Sequence, residues 1–130
     1  MQSRNILIID KDPGFVAATG ALLEAKGYKV LSAANKKDGL EKIQQSIPDL
    51  IIMEAMLDKM HDGFDLSREL KSDEKYKKIP IFLLTAIGQA TGFSFSEAGG
   101  DRSWLPVDDY AQKPVKSEEL IARVEKLILK

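Results

Sequence analysis

The chain contains three short apolar runs that do not alternate with polar residues, at positions 6–9, 50–53 and 81–84. Continuous runs of this length are typical of strands that are buried on both faces of a parallel sheet. Residues 28–33 form a more mixed segment, which we predict to be an edge strand, and residues 110–111 form a short last strand. The pattern therefore predicts a sheet of five short strands.

The segments between the strands carry helical patterns. Asp12, which precedes a proline, is predicted to cap a first helix that turns Phe15 inward and ends at Gly27. A second helix is predicted to begin at Asn35, with Ile47 among its inward residues. Residues 64, 67 and 70 mark a third helix, and a serine at position 117 is predicted to cap a last one. This alternation of strands and helices predicts a doubly wound α/β fold.

Composition narrows the class of protein. The 130 residues suffice for one domain, and 44% apolar with 30% charged residues is a globular composition that excludes disorder. A net charge of −1 argues against nucleic-acid binding driven by bulk charge. The absence of cysteine and the single histidine, His61, exclude thiolate and multi-histidine metal sites. The N-terminal apolar run is too short for a signal peptide or a membrane span, so we expect a cytoplasmic domain without membrane association.

Chemically active side chains come directly after the predicted strands. Residues 10–12 read Asp-Lys-Asp after the first strand, Glu54 follows the third and Thr85 follows the fourth. Lys113 comes just after the fifth strand. In open parallel sheets, functional groups gather outside the carboxyl ends of the strands. We therefore expect carboxylates, a hydroxyl and an ammonium group at one edge of the sheet.

These residues lie in five segments that resemble a known family. Residues 6–13, 48–54, 62–66, 79–86 and 108–115 resemble the receiver domain of two-component response regulators. The resemblance covers the whole chain and implies a flavodoxin-like (βα)5 fold, a five-stranded parallel sheet in the order 2-1-3-4-5. We expect a single receiver domain over residues 1–130, with no output domain in this sequence. The resemblance also implies a sensor histidine kinase, or another signalling protein, as partner.

The resemblance implies a role for several positions. In the family, an aspartate that ends the third strand accepts a phosphoryl group, acids after the first strand help to hold Mg²⁺, and a hydroxyl and a lysine contact the phosphoryl oxygens. The matching positions here are Glu54 for the phosphoacceptor, Asp10, Lys11 and Asp12 for the acid pocket, Thr85 for the hydroxyl, Lys113 for the lysine and Tyr110 for a switch aromatic. The pair Lys113-Pro114 resembles the cis peptide of the family.

Two positions depart from the family's pattern. Glu54 stands where the family has aspartate, and Lys11 stands where it usually has a second acid. The extra methylene of Glu54 moves its carboxylate, and a misplacement of about an ångström costs phosphoryl transfer about a hundredfold. Lys11 removes a ligand of a hard cation. We expect no cofactor, and at most weak Mg²⁺ binding through Asp10, Glu54 and the carbonyl of Met56.

Our hypothesis is that an ammonium group replaces the ion. Lys11 would supply positive charge near Asp10 and Glu54, with Lys113 opposite, and Glu54 would stand where the oxygens of a phosphoaspartate lie. The domain would then be held in one state, with Thr85 and Tyr110 turned inward. The alternative is that Lys11 simply points to solvent, which is common for lysine.

Two spacings are longer than is usual in the family. Gly63 follows Glu54 by nine positions, with His61 in the lengthened loop, and Lys113 follows Thr85 by twenty-eight. Segment 86–107 carries four glycines, for which we predict an irregular helix and a long loop. Its aromatic residues either pack locally or form a partner surface; they are Phe93, Phe95 and Trp104.

Three functions compete for this sequence. The first is a non-enzymatic, phosphorylation-independent receiver, a monomer or weak homodimer that acts by protein–protein contact and does not bind nucleic acid directly. The second is a metal-dependent phosphoacceptor for a sensor histidine kinase. The third is an enzyme, because residues 10–12 have the Asp-x-Asp form of phosphatases similar to the haloacid dehalogenase group. We disfavour the third because the acidic pair 108–109 precedes Lys113 and no substrate cap remains.

Overall fold

The computed structural model describes residues 4–86 and 107–128. Five strands form one sheet in the order β2-β1-β3-β4-β5, and all neighbouring pairs are parallel. The strands are β1 (Asn5–Ile9), β2 (Lys29–Ala33), β3 (Leu50–Met53), β4 (Ile81–Thr85) and β5 (Asp109–Gln112). The predicted α/β fold and its 2-1-3-4-5 strand order are confirmed.

Four helices lie within the described residues. They are α1 (Pro13–Ala25), α2 (Lys36–Gln45), α3 (Asp62–Lys71) and α4 (Ser117–Ile128). Asp12 caps α1 as predicted, since its side chain accepts the N–H groups of Gly14 and Phe15. Asn35, where the second helix was predicted to begin, caps α2 by accepting the Asp38 N–H. Gly27 follows α1 with a φ of 94°, a left-handed conformation that glycine adopts without strain. Ser117 is the first residue of α4 instead of the residue before it.

The sheet is buried on both faces. Alternate side chains of β1, β3 and β4 enter two separate core clusters. One cluster packs against α2 and α3, and the other packs against α1 and α4. The central strands are continuous apolar runs because the side chains on both faces of the sheet are removed from water.

The prediction that Ile47 faces the core is wrong, and one predicted segment lies outside the described residues. Ile47 is 47% exposed, because α2 ends at Gln45 and Ile47 falls in the connection to β3. The irregular helix and loop predicted within segment 86–107, together with its three aromatic residues, lie outside the described residues apart from the two ends of the segment. In the described part of the chain, no helix is long and apolar enough to span a membrane.

Candidate functional site

The carboxyl ends of four strands bring together the side chains predicted to form the site. Asp10 follows β1, Glu54 follows β3, Thr85 ends β4 and Lys113 follows β5. Asp10, Glu54 and Thr85 are all buried, although each carries a polar group. Buried polar groups need partners, so the contacts among these side chains decide what the site can do.

Glu54 accepts hydrogen bonds at both carboxylate oxygens. The Thr85 hydroxyl donates to Oε1 in a short contact, and the Met56 main-chain N–H donates to the same oxygen at 3.2 Å. The Ala86 N–H donates to Oε2 at 3.3 Å, and Lys113 Nζ lies 3.1 Å from that oxygen. A hydroxyl, two amides and an ammonium group therefore converge on one carboxylate.

Lys113 joins the two buried carboxylates. Its Nζ lies 2.6 Å from Asp10 Oδ2 and 3.1 Å from Glu54 Oε2, and its side chain is only 16% exposed. The same Nζ lies 4.0 Å from the centre of the Phe15 ring, which is a cation–π distance. The Lys113-Pro114 peptide is cis, as predicted. Lys113 is therefore the cation that offsets the repulsion between Asp10 and Glu54.

Lys11 does not form the pairs with Asp10 and Glu54 that the hypothesis requires. Its Nζ donates to the main-chain carbonyl of Leu57 at 3.0 Å and so links the segment after β1 to the loop after β3. Among the described residues it forms no ion pair with Asp10 or Glu54. The prediction that Lys11 neutralises these carboxylates is wrong. Lys11 is exposed, as the alternative expects, but its ammonium group also binds a main-chain carbonyl.

The Asp12 carboxylate caps α1 and does not enter the acid pocket as a free carboxylate. It is exposed, and its Oδ1 accepts the N–H groups of Gly14 at 3.0 Å and Phe15 at 3.3 Å. Its own N–H donates to Asp10 Oδ1 at 2.9 Å. Asp12 therefore orients Asp10 through its main chain and uses its carboxylate as the cap of α1.

The loop after β3 is closed tightly under Glu54. The Gly63 N–H donates to the Ala55 carbonyl at 2.8 Å, and Asp62 Oδ2 accepts the Lys59 N–H at 2.8 Å. A Cβ atom at Gly63 would stand 2.3 Å from the main-chain oxygen of Glu54. Only glycine allows this approach, so Gly63 sets where the Glu54 main chain lies.

The two remaining candidates are a tyrosine in β5 and a histidine directly before α3. Tyr110 is half-buried and packs against the core cluster on the α2–α3 face. Its role as a switch stays a prediction. His61 is exposed, and its ring centre lies 6.1 Å from that of Phe64. Nothing in this placement gives His61 a part in the site.

Sequence reasoning missed one contributor to the site. Phe15 is predicted only as an inward residue of α1, yet its ring faces the ammonium group of Lys113. The available signal is its place one turn into the helix that starts beside Asp10. That signal is weak, because an aromatic residue at this place also suits simple core packing.

The predicted cation ligands are already engaged with donors. Asp10 and Glu54 share the Lys113 ammonium group, and Glu54 holds the Met56 N–H. Mg²⁺ is usually held by one or two carboxylates and several waters, so it needs an open face on those carboxylates. In the described part of the chain, no group of three or more His, Cys, Asp or Glu side chains is placed to hold a metal ion. As they stand, both carboxylates face the Lys113 ammonium group.

Known protein families and proteins resemble this chain in sequence. The model of the response regulator receiver domain matches residues 6–125. PilH of Pseudomonas aeruginosa is 31% identical over 123 residues, which cover 95% of this chain and 96% of PilH. The DNA-binding dual master transcriptional regulator RpaA of Synechocystis sp. is 39% identical over 123 residues, which cover 95% of this chain and 48% of RpaA. The chain thus spans about half the length of RpaA.

A solved structure has the same fold. The receiver domain of the sensor histidine kinase PA1611 from Pseudomonas aeruginosa, crystallised with a magnesium ion in its active-site cleft, has a TM-score of 0.81 and 25% identity. The match covers 99% of this chain and 100% of that one. Together with the family model and the strand order, these similarities establish that the chain belongs to the response regulator receiver domain family of two-component signalling.

Proposed function

We propose that this receiver domain signals by protein–protein contact without being phosphorylated, and that Glu54 holds its site in one state. The observation that carries the proposal is the set of donors on the Glu54 carboxylate: the Thr85 hydroxyl, the Lys113 ammonium group and two main-chain amides. A group that is to accept a phosphoryl must be free to attack, whereas this carboxylate is held at both oxygens.

The length of the side chain supports this interpretation. Glutamate is one methylene longer than aspartate, so its oxygens extend further toward the ends of β4 and β5. There they contact Thr85 and Lys113, the two positions that the family resemblance assigns to the phosphoryl oxygens. In this proposal Glu54 takes the place of a phosphoaspartate and does not itself accept a phosphoryl group.

The charges of the site support a function without a metal ion. Lys113 bridges Asp10 and Glu54, and Lys11 replaces the second acid. The magnesium ion is coordinated in the PA1611 receiver, whereas here we propose no cofactor and at most weak Mg²⁺ binding. The hypothesis that Lys11 takes the place of the ion is therefore replaced: we propose Lys113 as the cation that neutralises the two carboxylates, and Lys11 as a link between loops.

The proposed partners are proteins. We propose that the domain contacts a sensor histidine kinase or another signalling protein, in the cytoplasm, as a monomer or weak homodimer. We propose no enzymatic activity and no direct contact with nucleic acid. RpaA is named as DNA-binding, but this chain matches about half of it and has a net charge of −1.

The experiment is incubation with a small acyl phosphate and Mg²⁺, followed by intact-mass measurement. We expect no phosphoryl adduct on the parent chain or on the control Glu54→Gln. The double variant Glu54→Asp with Lys11→Asp should gain an adduct on residue 54, because it restores both the shorter nucleophile and the missing acid.

Two outcomes would contradict the proposal. An adduct on Glu54, Asp10 or Asp12 of the parent chain would favour the metal-dependent phosphoacceptor instead. If the double variant is folded and still gains no phosphoryl adduct, Glu54 and Lys11 are not the reason why the parent site is unreactive.

A further inference from the structure

We infer that Phe15 is a positioning residue that keeps the Lys113 ammonium group between Asp10 and Glu54. The ring centre of Phe15 lies 4.0 Å from Lys113 Nζ, on the first turn of α1. The same Nζ lies 2.6 Å from Asp10 and 3.1 Å from Glu54. Two carboxylates and one aromatic face thus contact the ammonium group.

The alternative position for the ammonium group is close at hand. Phe15 and Lys113 both line an open groove of about 590 Å³ between α1 and α4, whose walls are mostly apolar. A lysine side chain is flexible and its ammonium group is strongly hydrated, so it tends to swing to water unless neighbours hold it. The Phe15 ring lines the same groove, lies 4.0 Å from the cation and attracts it through its negative face.

The position of Lys113 matters because the carboxylates depend on it. Asp10 and Glu54 are 4% and 5% exposed, so neither is screened by water when the ammonium group leaves. Their repulsion would then push the Glu54 carboxylate away from Thr85. Phe15 acts on the two carboxylates only through Lys113. The inference rests on the proposed function, since it concerns the cation that neutralises Asp10 and Glu54 there.

The test is nuclear magnetic resonance of the full chain, read at the Lys113 side chain. In the parent protein the Hε and Hζ protons of Lys113 should be shifted upfield by the ring current of Phe15. The variant Phe15→Tyr keeps an aromatic face and should keep the shift. Phe15→Leu keeps an apolar side chain without a ring and should lose it.

A second readout is the reactivity of the Lys113 amine toward reductive methylation, followed by peptide mass spectrometry. Loss of a cation–π contact corresponds to about a two- to tenfold larger population in which the Lys113 amine is exposed to the reagent. We expect Lys113 to react about two- to tenfold faster in Phe15→Leu and at the parent rate in Phe15→Tyr. Lys116, which is exposed, serves as the internal control and should not change.

Absence of the upfield shift in the parent protein would overturn the inference, and this measurement does not depend on whether any variant folds. Parent-like Lys113 reactivity in a folded Phe15→Leu variant would also overturn it. Both results would leave the outcome of the acyl phosphate experiment unaffected. An adduct in that experiment would refute the proposed function without changing the ring-current shift.

Discussion

At the level of single residues, Lys113 determines whether the buried acids of the site are tolerated. Isolated buried carboxylates are expensive, and Asp10 and Glu54 lie close enough to share one ammonium group. The pair of acids and the lysine thus form one electrostatic unit. Removing the lysine leaves two like charges in a site from which water is largely excluded.

The variant Lys113→Met should therefore be clearly destabilised. Breaking a buried ion pair by removing one partner costs about 3–5 kcal/mol, because the other charge stays buried. Urea unfolding would measure the change, with Lys116→Met as the control, since Lys116 is exposed. A Lys113→Met variant as stable as this control would mean that Asp10 and Glu54 do not rely on the ammonium group.

Gly63 and Gly20 provide a matched pair of alanine substitutions. Gly63→Ala should lose about 1–3 kcal/mol of unfolding free energy, because a Cβ there meets the Glu54 oxygen at 2.3 Å. Gly20→Ala should be neutral or gain about 0.5–1 kcal/mol, because Gly20 lies inside α1 and its nearest neighbour would be 3.7 Å away. Equal effects at the two positions, measured by urea unfolding, would contradict the close approach at Gly63.

The residues of the site were predictable from the sequence, but the assignment of the cation was not. Asp10, Glu54, Thr85 and Lys113 all follow strands, and parallel strands end at one edge. Lys11 is adjacent to Asp10 in sequence, which favoured it as the partner. Consecutive side chains leave an extended segment on different sides, so Lys11 faces Leu57, and the partner of Asp10 comes from 103 positions away.

At the level of elements, the helix starts follow from local chemistry. The side chains of Asp12 and Asn35 accept main-chain N–H groups of the turn that follows, so the cap at Asp12 and the helix start at Asn35 depend on residues at most three positions away and were predictable. β5 is longer than predicted, with Asp109 paired to Phe82 and Gln112 to Thr85. An edge strand needs no apolar residues at its ends, so hydrophobicity could not mark its limits.

Substitutions at Asp12 separate its role in the helix from a role in the acid pocket. Asp12→Ala should lose about 0.5–2 kcal/mol of unfolding free energy, because α1 loses its cap, whereas Asp12→Asn should lose little, since asparagine caps as well as aspartate. Thermal or urea unfolding of the two variants gives the comparison. If Asp12→Asn were as damaging as Asp12→Ala, the charge of Asp12 and not its capping oxygen would be what matters.

At the level of the whole molecule, two core clusters fix the sheet, and the sheet fixes the site. Side chains from both faces of β1, β3 and β4 are buried, so the strands cannot slip without exposing apolar surface. The carboxyl ends of these strands therefore hold Asp10, Glu54 and Thr85 at fixed separations. A rigid frame of this kind suits a site that keeps one arrangement of donors and acceptors.

The dependence of stability on Mg²⁺ follows from this frame. A ligand that binds only the folded state at about a hundred times its Kd stabilises by about 2.7 kcal/mol, which raises Tm by several degrees. The parent chain should show no such rise with Mg²⁺, because Lys113 already occupies the shared side of both carboxylates. The double variant Glu54→Asp with Lys11→Asp should show it, because the shorter side chain at position 54 withdraws from Lys113 and an acid at position 11 restores the second carboxylate after β1. Calorimetric melting of both proteins, with NaCl at equal ionic strength as the control, makes the comparison. A Mg²⁺-dependent rise of several degrees in the parent would mean that the cation displaces Lys113, and the site would then be one that takes a metal ion.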